Sequence, residues 1–156
     1  MVAEVQADGT VLAARALKVT PQADTDTSGG MESNVVQGSV RFVEVAELLV
    51  NAAGFAASCH GLAGRTGEEI EARFGFLHCL GHSLEFPDWS GYDTPTSGVF
   101  GEQPGFGNRS PYASAVLGPN PKTGDVPKAD LLSLLRDASR FFGASASDEV
   151  LARYVR

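Results

Sequence analysis

Apolar residues recur at helical spacing in three windows of the chain. In the first, Phe42, Val45, Leu49, Ala52, Ala53 and Ala56 fall on one face, which predicts a helix over 41–58. Its second half, Ala52-Ala-Gly-Phe-Ala-Ala-Ser58, carries small side chains that would let another backbone approach closely. Gly54 costs a helix roughly 1 kcal/mol relative to Ala, so it is expected to serve such packing. A second helix is expected over 67–84. Thr66-Gly-Glu-Glu69 reads as a capping box, Ile70, Phe74, Leu77 and Leu84 mark a buried face, and Pro87 stops it. The third window places Leu131, Leu134, Leu135, Ala138, Phe141 and Phe142 on one face, with Gly143 just past the end. Ser147 then caps a last helix running through Val150, Leu151, Tyr154 and Val155.

The remaining segments lack that period. Residues 1–19 read as a strand pair around Asp8-Gly9, a good hairpin turn, with a short helix over Val11–Val19 as the competing reading. Residues 20–34 are polar and aperiodic. Residues 85–127 hold seven of the eight prolines, seven glycines and six of the 13 aromatics, too many breakers for regular structure and too many rings for an inert linker. They predict an ordered loop that packs on the helices or grips a partner, with at most a short helix around Tyr112–Leu117. The expected fold is therefore mainly α, with an N-terminal hairpin or arm over 1–34. A helical domain over 35–156 follows, interrupted by the irregular insertion 85–127. The alternative is a small α+β domain in which residues 1–19 form a real hairpin.

Bulk properties narrow the function. The chain has 156 residues and a formal net charge of −7, from 19 acids against 12 bases, which disfavours binding to a phosphate backbone. No signal peptide is visible at the N-terminus, and no run without polar interruption approaches the ~20 residues of a membrane helix. Cys59 and Cys79 define no disulfide framework, so two reduced thiols in a cytoplasmic protein are expected.

One phrase recurs: glycine, one residue, an aliphatic, then an acid four residues later that opens a helix. It stands at Gly38-Ser-Val40-Arg-Phe-Val-Glu44 and at Gly124-Asp-Val126-Pro-Lys-Ala-Asp130, with an echo at Asp8-Gly9-Thr-Val11. With Leu131–Arg136 after it, the second copy resembles the exit half of a calmodulin-like EF-hand, and Glu68–Leu77 looks like an entering helix. The resemblance implies a helix-loop-helix pair. Gly38 and Gly124 would make the loop turn, Val40 and Val126 the β contact between paired loops, and Glu44 and Asp130 the bidentate ligand position. The earlier ligand positions fall on Ser33, Val35 and Gln37, or on Pro119, Pro121 and Thr123. Calcium takes 6–8 oxygens, so a degenerate pair with its calcium ligands lost is expected.

A different chemistry is offered by His78-Cys-Leu-Gly-His82, followed by Asp88. Two histidines at i and i+4 share a helix face and can ligate one metal. The string resembles the zinc helix of a metzincin-type protease. Cys79 stands where the general base belongs, Glu85 replaces the turning glycine, and no Met-turn follows, so protease activity is rejected. The polar stripe Glu71, Gly75, His78, His82 and Glu85 gives the plainer reading, hydrogen bonding to a neighbouring element. Cys59, His60 and Cys79 fit no common zinc spacing. No phosphate-binding loop or nucleophile elbow is present in the sequence. Glu68-Glu69 and Asp148-Glu149 sit where helix dipoles favour acids.

The expectation is thus a non-catalytic protein with no cofactor. It would bind other proteins in a larger assembly, for instance a cytoskeletal one, and neither nucleic acid nor membrane. Trp89, Tyr92, Phe100 and Phe106 would supply aromatic anchors. The alternative is a metalloprotein or enzyme holding zinc through His78, His82 and Asp88.

Overall fold

The structure is a computed structural model that describes residues 1–7, 9–21, 38–76, 82–86 and 112–155. The element order is β1 (Val2–Val5), β2 (Val11–Ala14), β3 (Val19–Pro21), β4 (Gly38–Arg41), α1 (Phe42–Leu62), β5 (Ile70–Gly75), β6 (His82–Glu85), β7 (Tyr112–Leu117), α2 (Lys128–Phe141) and α3 (Asp148–Leu151). A 3-10 turn, Ala152–Tyr154, follows α3. Among the described residues, three helices and seven strands make this an α+β fold, so the mainly α, EF-hand-like expectation is wrong and the α+β alternative is the architecture found.

The strands form three small sheets: β1 with β2, β3–β4–β6, and β5 with β7. Within the second, β4 runs antiparallel to β3 and parallel to β6. The hairpin of β1 and β2 is present. Its turn is closed by Gln6 N–H donating to Thr10 O at 2.8 Å and Gly9 N–H to Gln6 O at 3.0 Å, with Gly9 at φ 88°. A residue with a side chain rarely adopts that angle, which is why the glycine stands there.

The expected helix over 67–84 is replaced by β5 and β6. Positions i and i+4 share a face in a strand as well as in a helix, so Ile70 and Phe74 fit both periods. The intervening Ala72 and the following Phe76 decide it. Ile70, Ala72, Phe74 and Phe76 are the more buried positions, and Glu71, Arg73 and Gly75 face solvent, a period of two. Thr66 and Gly67 lie in a turn, not a helix cap, with Gly67 at φ 83°. β7 likewise replaces the short helix expected at 112–117. Ala113, Ala115 and Leu117 alternate with exposed Ser114 and Val116 and pair antiparallel with β5 from Ile70↔Leu117 to Gly75↔Tyr112.

The helices expected at 41–58 and 131–142 are found. α1 buries Phe42, Glu44, Val45, Ala46, Leu49, Ala53 and Ala57. By length and composition alone it could cross a membrane; here that face lies in the core of the fold. α2 buries Leu131, Leu134, Leu135, Ala138, Ser139 and Phe141. It ends in a Schellman motif: Ala144 N–H donates to Ser139 O, Gly143 N–H donates to Arg140 O, and Gly143 takes φ 63°. Ser147 Oγ accepts Val150 N–H at 3.4 Å to cap α3.

Two aromatic clusters organise the core. Phe42 stacks at 4.7 Å from Phe86 and meets Tyr154 edge-on at 4.9 Å, joining α1 to the end of β6 and to the C-terminal turn. Phe76 meets Phe141 at 5.8 Å and Phe142 at 5.1 Å, which ties the β5 end to α2. Edge-to-face pairs of this kind add roughly 0.5–1.5 kcal/mol beyond the area they bury.

Candidate functional site

The recurring glycine–aliphatic–acid phrase is structural in both copies, and the two copies do different work. Gly38–Arg41 is strand β4 and makes no loop. A Cβ on Gly38 would lie 2.6 Å from Val19 Cγ1 and 2.9 Å from Thr20 O, so the glycine admits a neighbouring strand. Val40 is fully buried between its sheet partners Val19 and Leu84. Val126 is half-buried outside any strand, so the β contact between the two valines is not formed. Gly124 does make a turn, at φ 76°, donating its N–H to Asn120 O at 2.7 Å.

The two acids are clamps. Glu44, 6% exposed on the first turn of α1, accepts the backbone N–H of Lys18 on Oε2 at 2.9 Å. Asp130, on the first turn of α2, accepts the backbone N–H of Gly118 on Oδ2 at 2.7 Å. Each ties the segment that precedes a sheet element or follows one to a helix start, where the dipole also favours the negative charge.

The proposed metal ligands are only partly placed. His82 lies half-buried on strand β6, opposite Gly38 in the ladder. The shared helix face that motivated the pair with His78 is therefore absent at His82. His78 and Asp88 fall outside the described residues, as do the aromatic candidates Trp89, Tyr92, Phe100 and Phe106 and the second thiol, Cys79. Cys59 is a free, half-buried thiol on α1. Beside it, His60 has a buried Nδ1 with no hydrogen-bond partner among the described residues. No group of three His, Cys, Asp or Glu side chains among the described residues could hold a metal ion.

Two surfaces remain. The first is an open cleft of about 700 Å³ between the outer side of α1 and the turn over 123–126. Asn51, Gly54, Phe55 and Leu62 form the helix wall, Thr123 and Asp125 the other. Among the described residues nothing lies within 4 Å of a Cβ built on Gly54, so none of them makes the close approach expected at this glycine.

The second is the hairpin, which the sequence predicts as a hairpin but not as a surface. Every residue of β1 is exposed, Val2 at 76% and Val5 at 50%, and Leu12 on β2 is 49% exposed. Cross-strand partners share a face, so Val2 with Ala14 and Glu4 with Leu12 point one way. Ala3 with Ala13 and Val5 with Val11 point the other. On β2 the second set is half-buried, so the sheet leans on the body through β2 and leaves β1 outermost. Among the described strands β1 pairs with β2 alone. The signal was available in the alternation of Val2-Ala-Glu-Val5, which reads apolar on both faces.

Compared with known proteins, the chain matches no family model, no curated protein and no solved structure.

Proposed function

We propose that this protein acts by contact with another protein, and that the outer edge of β1 is where contact is made. The observation that carries this reading is the exposure of β1 along its whole length, with Val2 and Val5 in solvent and one backbone edge unmatched by another described strand. An edge strand presents unpaired N–H and C=O groups at the spacing of a ladder, and an extended segment can add to it. Natural edges are commonly blunted by Lys, Pro or a bulge, and β1 carries none of the first two and pairs without a bulge. Added strand pairing supplies main-chain hydrogen bonds, while the exposed valines supply apolar area at roughly 25 cal/mol per Å² buried.

The test is a photo-crosslinking residue placed at position 5 of the full chain in its native extract, with position 73 as an exposed control. The reading expects one protein captured at position 5 and not at 73, and loss of that capture when Ala3→Pro is added on the same strand. Equal capture at both positions, or retention by the proline variant, overturns it.

A metal held by His78, His82 and Asp88 is the second reading. Its support is His82, an imidazole held half-buried on a strand rather than left in solvent. Elemental analysis of the purified chain separates the two. Stoichiometric zinc that is lost in His82→Ala favours the metalloprotein.

A further inference from the structure

We draw no further inference here: the strongest candidate, the open cleft between the outer side of α1 and the turn over 123–126, is an unpartnered face of Phe55, Leu62 and the small residues around Gly54, and nothing in the structure shows what covers it.

Discussion

Glu44 holds Lys18: the carboxylate on the first turn of α1 accepts the backbone N–H of a residue just before β3, at 2.9 Å. The contact joins the N-terminal segment to the longest helix of the fold. The acceptor is buried, Lys18 is exposed and the bond is part-buried, so removing the carboxylate would leave a partly shielded donor without its protein partner. Such a loss costs about 1–3 kcal/mol. Glu44→Ala is expected to lower stability by that amount in urea unfolding, and Glu44→Gln by less, because the amide oxygen can still accept. Equal losses in the two variants would show that the hydrogen bond is not what the residue contributes.

The same clamp bears on calcium. Glu44 and Asp130 occupy the place of the bidentate ligand in the resemblance, yet each spends an oxygen on a backbone N–H. Calorimetric titration with calcium is expected to show no micromolar site, and Glu44→Gln is expected to leave that titration unchanged. A saturable heat that disappears in the variant would mean that the carboxylates turn outward to an ion.

Two glycines should respond in opposite directions to the same substitution. Gly38→Ala would place a methyl 2.6 Å from Val19 Cγ1 and 2.9 Å from a backbone oxygen, and overpacking of this kind costs about 1–3 kcal/mol. Gly54→Ala, inside α1, meets none of the described residues within 4 Å, so it should stabilise by up to about 1 kcal/mol through helix propensity. Thermal unfolding of the two single variants reads the contrast directly. A stabilising Gly38→Ala would put β3 somewhere other than beside β4.

Core and surface leucines give a third contrast. Leu134→Ala, on the buried face of α2, is expected to cost about 2–5 kcal/mol. Leu62→Ala, 91% exposed at the end of α1, should stay within about 0.5 kcal/mol of the parent. Should Leu62→Ala prove costly in the purified chain, the face beside it would be covered in solution, and the cleft would be an interface.

What could be read from the sequence follows the range of the interactions involved. α1 and α2 are specified by neighbours three and four residues apart, and the Schellman end at Gly143 and the cap at Ser147 lie within one turn of the helices they serve. The hairpin at Gly9 is equally local. At β5, Ile70 and Phe74 satisfy either period; Ala72 and Phe76 supply the period of two, and the ladder partner, β7, stands some forty residues downstream where no local pattern announces it. The acids Glu44 and Asp130 stand out in the sequence by their spacing from a glycine. Their partners, Lys18 and Gly118, are backbone groups, which leave no mark on the residue types of a sequence. Gly38 has the spacing of a turn residue, yet it is the side chain of Val19 that requires it.

The order in which the sheets are joined has a kinetic consequence. β4 pairs with β6 and β5 pairs with β7, while along the chain β5 lies between β4 and β6, and β6 between β5 and β7. The two ladders are interleaved, so cutting the chain anywhere between β5 and β6 severs both. Neither can be assembled from consecutive elements, and each requires a long loop to close before any of its hydrogen bonds form. Helix α2 and the β1–β2 hairpin rest on local contacts, whereas the β4–β6 and β5–β7 ladders must wait for the rarer encounter of distant segments. Refolding dominated by such distant pairing typically takes milliseconds to seconds, well behind helical bundles of similar size.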